Sequence, residues 1–167
     1  SPTVITGWNT DNYDIPYLVN RIKKLLGARA GFQATCSTDV EAALWTKFVR
    51  LATWSGMTAA TRSPLGVLRD HPETYEMMLA AIEEVIAVAR ARRINLPPDI
   101  MESTVALMKG FPPNSKSSQL EDLERGRRLE LPWLSGAVVR LGKEVGVATP
   151  IHQFINAILT PFVNGSK

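Results

Sequence analysis

Cysteine is almost absent from this 167-residue chain, which has only Cys36, so no internal disulfide can brace it. A lone cysteine favours a reducing, cytoplasmic setting, and with no histidine close to it in sequence Cys36 reads as a packing residue. Glycine is as informative by its spacing: no two of the 11 glycines stand as G-x-G, so the phosphate-cradling loop of a dinucleotide-binding domain does not occur in these residues. No apolar run reaches the length that crosses a membrane, and the first residues do not resemble a signal peptide. The net charge is only +3, with arginines interleaved among glutamates, which gives nucleic-acid binding little support. Neither a cluster of metal ligands nor an internal repeat is visible. From residue 37 onward no strand pattern appears, and short strands fit only around Val4–Thr6 and Phe32–Thr35.

What is present is helical. An apolar share of 45% with 21% charged residues suits a globular domain with one real core. Ser37 to about Ala60 opens with a capping box, Thr38 followed three residues later by Glu41. Ser63-Pro64-Leu65-Gly66 reads as a turn. Pro72 suits the first position of a second long helix, whose apolar face runs through Tyr75, Met78, Leu79, Ile82, Val85, Ile86 and Ala89. Leu96-Pro97-Pro98 ends it. A short helix is expected over Ile100–Lys109, then a long one from Ser117 to Val145 with a kink or restart at Pro132. Thr149-Pro150 caps a last helix to about Leu159. The fold class is therefore a mostly all-α helical bundle, with a short strand-helix segment ahead of it.

Two charges interrupt expected apolar faces. Lys47 falls in the row Val40, Leu44, Lys47, Leu51 and Trp54, and Glu130 lies in the row from Leu120 to Leu141. An inward lysine either snorkels to water or faces an anionic partner, because burying it unpaired costs several kcal/mol. One such lysine and one such glutamate on separate helices suggest a polar cleft between them.

The surrounding motifs resemble a known family. Leu44-Trp45-Thr46-Lys47-Phe48 is similar to the "LW-x-K" signature of the C-terminal domain of ketopantoate (2-dehydropantoate 2-) reductases. Ser117-Ser118-Gln119-Leu120-Glu121-Asp122, ending in Gly126-Arg127, resembles that family's "SSM-x-QD-x-x-x-GR". Leu129-Glu130 with Leu134-Ser135-Gly136 resembles the continuation, and Gly146-Val147-Ala148-Thr149-Pro150 the "G-[IV]-x-x-P" before the last helix. Order and spacing agree over about residues 28–163.

The resemblance implies a helical domain like the C-terminal domain of 6-phosphogluconate dehydrogenase. It would be the substrate-binding and dimerisation half of an NADPH-dependent reductase in the pantothenate pathway, acting on a small 2-oxo acid. The partner Rossmann domain would hold NADP(H); no cofactor and no metal is expected on this chain alone. By position, Lys47 matches the catalytic lysine that donates to the ketone oxygen, Glu130 the active-site glutamate, and Ser118 a serine at the substrate's carboxylate end. Leu51, Leu65 and Ser135 stand where the family usually carries asparagines. Some 2-oxo acid, rather than ketopantoate specifically, is the expected substrate. A helical structural domain without activity is the alternative reading.

Residues 1–27 have another likeness. Gly7-Trp8-Asn9-Thr10-Asp11-Asn12-Tyr13-Asp14 resembles the second exonuclease motif of family B DNA polymerases, in which Asp14 would hold a metal. The upstream D-x-E partner is missing, and no Tyr-x-x-x-Asp follows. A recombined segment over residues 1–27, joined to a reductase-like domain over 28–167, is the expected organisation, with a DNA polymerase exonuclease fragment as a third reading that rests on these residues alone.

Overall fold

The computed structural model describes residues 39–165. The chain separates into two compact units, Ser1–Val40 and Glu41–Lys167, and the description below concerns the second. The strand-helix segment expected at the N-terminus and Cys36 lie outside the described residues.

Every regular element described is helical. In order they are α1 (Val40–Thr61), α2 (Leu65–Asp70), α3 (Pro72–Ala91), α4 (Ile100–Gly110), α5 (Ser118–Glu124), a 3-10 turn at Leu131–Trp133, α6 (Ser135–Val145), α7 (Pro150–Leu159) and a second 3-10 turn at Thr160–Phe162. Helix α3 packs against α2, α4, α6 and α7. The core contains Met57, Leu65, Leu68, Met78, Ile82 and Ile155, all fully buried.

Helix α1 is 22 residues long, ~33 Å at the usual rise, and its two halves differ. From Ala52 to Ala59 every residue except Trp54 is buried, whereas Leu44 and Lys47 are exposed. The row from Val40 to Trp54 is therefore not the core face. The buried face carries small and polar residues, Ala52, Thr53, Ser55 and Gly56, which a search for large apolar side chains passes over. Their smallness has a use. A β-carbon on Gly56 would come within 2.8 Å of Ser135 Oγ and 3.3 Å of Ile155, so this glycine lets α6 and α7 approach the helix axis closely.

The expected long helix from Ser117 is two helices. Helix α5 stops at Glu124 because Gly126 turns left-handed (φ 61°), with Arg127 N–H donating to Asp122 O and Gly126 N–H to Leu123 O. This is a Schellman ending. Residues 127–130 are not helical, and α6 begins only at Ser135. Glu130 and Ser118 consequently do not share a helix. The restart beyond Pro132 agrees with expectation, but the break comes earlier. Helix α6 ends the same way at Gly146 (φ 71°). A short helix, α2, replaces the second half of the expected turn: Leu65 and Gly66 donate to the carbonyls of Ser115 and Pro113 at 2.9 and 2.8 Å.

Thr149 occupies the position before α7, but its side chain makes no capping bond. Glu84 from α3 does so instead. Its carboxylate accepts from the Ile151 and His152 amides at 2.7 and 3.0 Å. Burial raises the Glu84 carboxyl above its ordinary value, and the two amides pull it partly back. His152 is fully buried, and burial pushes its imidazole down to about 4. Its Nδ1 stands 3.6 Å from Glu84 Oε2, a contact with a neutral ring rather than an ion pair.

These features make stability testable. Removing the cap by Glu84→Ala leaves two buried amides unpaired and should cost about 2–4 kcal/mol in denaturant unfolding at pH 7. An imidazole whose pKa falls on folding contributes stability that is complete above its unfolded value of 6.5 and is lost as pH falls toward 4. The raised pKa of Glu84 acts in the opposite sense, its contribution being lost as pH rises through the folded value. Comparison with His152→Leu isolates the histidine: the parent should lose up to about 3 kcal/mol more than the variant between pH 7 and pH 4. Equal losses would contradict the assignment. At Gly66, a β-carbon would sit 2.5 Å from the Pro113 carbonyl oxygen. Gly66→Ala should therefore lower stability by about 1–3 kcal/mol, read from the midpoint of thermal or urea unfolding.

Candidate active-site cleft

Where α1 leaves the core, its outer half forms one wall of a cleft of about 340 Å³ lined by Ala43, Thr46, Lys47, Arg50, Leu51, Trp54 and, from α4, Leu107. Residues three and four apart share a helix face, so Lys47, Arg50, Leu51 and Trp54 all reach this cleft. The opposite wall is held in place by backbone chemistry. Arg69 of α2 donates from Nη1 to the carbonyls of Met108, Lys109 and Phe111 at 3.0, 2.8 and 2.9 Å. That satisfies the orphan end of α4 just beyond Leu107.

Lys47 forms no hydrogen bond or ion pair among the described residues and is exposed. An ammonium without a protein partner, at the mouth of a cleft with an apolar lining, is available to a ligand. One turn on, Arg50 bridges to α4 by donating from Nη2 to Ser103 Oγ at 3.3 Å, while its buried Nε has no partner. The Trp54 ring packs on Phe111 with centroids 4.4 Å apart and planes tilted by 43°. Its indole nitrogen is also buried and unpartnered. Buried donors left unpaired are rare enough to require an explanation.

Neither Glu130 nor Ser118 lines this cleft. Glu130 is exposed and immediately precedes the 3-10 turn; no ion pair joins it to Lys47 among the described residues. Ser118 is exposed at the first turn of α5. The structural serine is its neighbour. Ser117 Oγ accepts from the Leu120 amide at 3.0 Å and lies 2.7 Å from Thr58 Oγ1. Because the Thr58 hydroxyl donates to Trp54 O, Ser117 must be the donor between the two hydroxyls. This chain of bonds joins α5 to the turn of α1 that carries Trp54. Of the three positions where the resemblance expects asparagines, Leu51 lines the cleft, while Leu65 and Ser135 are buried in the domain. Arg50 and Trp54 were not singled out as site residues from sequence, although their spacing of three and seven from Lys47 was the available signal.

A second groove, of about 260 Å³, lies between α1 and α6 and is lined by Leu44, Trp45, Phe48, Ala137 and Leu141. Trp45 and Phe48 meet there edge to face, 5.4 Å between centroids.

Known proteins can now be set beside this geometry. A reviewed 2-dehydropantoate 2-reductase of Pyrobaculum aerophilum is 29% identical over 139 residues, covering 83% of this chain and 49% of the relative. The crystal structure of a PanE/ApbA family ketopantoate reductase from Ralstonia eutropha superposes with a TM-score of 0.74 at 30% identity, over 80% of this chain and 45% of that one. A dimeric ketopantoate reductase from Staphylococcus aureus gives 0.77 at 18% identity, a likeness of fold, over 87% and 51%. The chain spans about half the length of the curated relatives it matches. Residues 1–41 match a different model, the exonuclease domain of DNA polymerase family B. The model of the ketopantoate reductase PanE/ApbA C-terminal domain matches residues 39–162, well over half of the chain, and to that family the chain belongs.

Proposed function

We propose that this domain is the substrate-binding and dimerisation half of an NADPH-dependent reductase that converts a 2-oxo acid of the 2-dehydropantoate type to the 2-hydroxy acid. The observation that carries the proposal is the Lys47 ammonium, exposed at the cleft and unpaired among the described residues, at the position that the resemblance matches to the family's lysine. Reduction of a ketone builds negative charge on its oxygen. An ammonium within hydrogen-bond reach stabilises that charge and supplies the proton. Glu130 and Ser118, exposed outside the cleft lining and without a side-chain partner among the described residues, are assigned to whatever part of the substrate extends beyond the cleft.

The described residues do not fit the dinucleotide. They offer no glycine-rich strand-to-helix turn, and the first-turn amides of α2 and α7 are already taken by Ser115, Pro113 and Glu84. We therefore assign NADP(H) to a Rossmann domain outside them, and to this chain only the grip on the substrate. Self-association as a homodimer is part of the proposal. It is supported by the dimeric relative from Staphylococcus aureus and by the exposed rings of Trp133 (66%) and Phe154 (58%). So is the organisation into a recombined segment over 1–27 and a reductase-like domain over 28–167; the polymerase match supports a segment of different likeness at the N-terminal end, though it runs on to residue 41.

The 167-residue chain alone should show no NADPH oxidation with 2-dehydropantoate or other 2-oxo acids; measurable turnover by it would refute the division of labour. Joined to the dinucleotide-binding half of a relative, it should gain 2-oxo acid reduction. In that enzyme Lys47→Ala should lower kcat/KM by roughly 10²–10⁴-fold, while folding stability changes by less than about 0.5 kcal/mol. Full activity of the variant would remove Lys47 from the chemistry.

A further inference from the structure

We infer that the Lys47 cleft selects 2-oxo acids with an aromatic side chain, and that Arg50 is the residue that takes their carboxylate. The inference rests on the reading of this cleft as a 2-oxo acid site and adds the class of substrate and a binding residue to it.

Three observations converge. The first is the pair of cations. Lys47 and Arg50 lie one helical turn apart on the same face, so their side chains can reach two adjacent acceptors. A 2-oxo acid presents such a pair, a ketone oxygen next to a carboxylate. Arg50 lines the cleft, is already oriented by its bond to Ser103, and has no carboxylate paired with it among the described residues. Guanidinium edges suit carboxylates because two parallel hydrogen bonds can form. Ser118 does not line the cleft, which leaves the carboxylate to Arg50.

The second observation is what surrounds the cations. Ala43, Leu51, Trp54 and Leu107 form the rest of the wall, with the Thr46 side chain as the remaining polar contributor. A substrate whose side chain carries a hydroxyl would bury it against Leu51 with few partners, at a cost of about 1–3 kcal/mol. An apolar side chain meets no such penalty. The third is Trp54, an indole held by Phe111 with its N–H buried and free. The ring lines the cleft, where its face can stack on an aromatic substrate. A cleft of about 340 Å³ is of a size for a small molecule of that kind.

The test is calorimetric titration of the full 167-residue chain with phenylpyruvate and, separately, with 2-dehydropantoate. Phenylpyruvate should bind at least about tenfold more tightly, Arg50→Gln should weaken it by about tenfold or more, and Leu51→Asn should narrow the preference. The Trp54 indole N–H resonance, assigned with Trp54→Phe, should move on adding phenylpyruvate. That measurement uses the parent chain and holds even if the Arg50 variant does not fold. Equal or tighter binding of 2-dehydropantoate would overturn the aromatic preference and leave the 2-oxo acid reading standing. Phenylpyruvate binding that is unchanged in a folded Arg50→Gln protein would remove Arg50 from the site. If neither acid binds, and Lys47→Ala in the two-domain enzyme leaves activity intact, both readings fall.

Discussion

A single buried carboxylate joins the halves of this helical domain. Glu84 projects from α3 and takes two amides at the start of α7, bonds that no other side chain supplies there. Because it is buried, the exchange is effective only while both bonds are made; a carboxylate without them would be very costly in that position. Fixing α7 on α3 also fixes Ile155, which packs over Gly56 and closes the core around the inner half of α1. The cleft stands on the other half of that same helix. Its geometry therefore depends on an interaction in which none of its lining residues takes part, as well as on the Arg50–Ser103 bond across it.

Much of this was readable in advance. Helices α4 and α7 appear within a residue of their expected limits and α3 starts at Pro72 as expected, but α3 ends at Ala91, ahead of Leu96-Pro97-Pro98, where Arg93 turns left-handed (φ 63°). The region after α5 was harder. Pro132 was the obvious breaker, but Gly126 acts first by adopting a left-handed conformation that a periodicity argument does not see. The face of α1 was misassigned for a different reason. Apart from Val49 and Met57, its buried side is alanine, serine, threonine and glycine, so most of the large apolar residues that dominate a hydropathy pattern are left for the grooves.

The candidate site was legible in part. Lys47 could be located from its motif, and it lines a cleft; its role there belongs to the proposal. Glu130 and Ser118 do not share a helix because α5 ends at the left-handed Gly126, a local turn that the apolar pattern does not reveal. Arg50 could not be separated by sequence from an ordinary surface arginine. Its distinction lies in a bond to Ser103 53 positions away and in a buried donor with nothing to bind.

Helix α1 also behaves mechanically as a cantilever. It is held in the core from Val49 to Ala59, while Glu41 lies eight positions outward from Val49, ~12 Å along the axis. For a stiff rod, a small change of angle at the clamp becomes a displacement that grows with distance from it. A tilt of ten degrees would carry that tip sideways by about 2 Å, but Lys47, two positions beyond the clamp, by only about 0.5 Å. The lysine thus stands where the helix is still stiffly held, and changes around Gly56 would be felt first at the far tip.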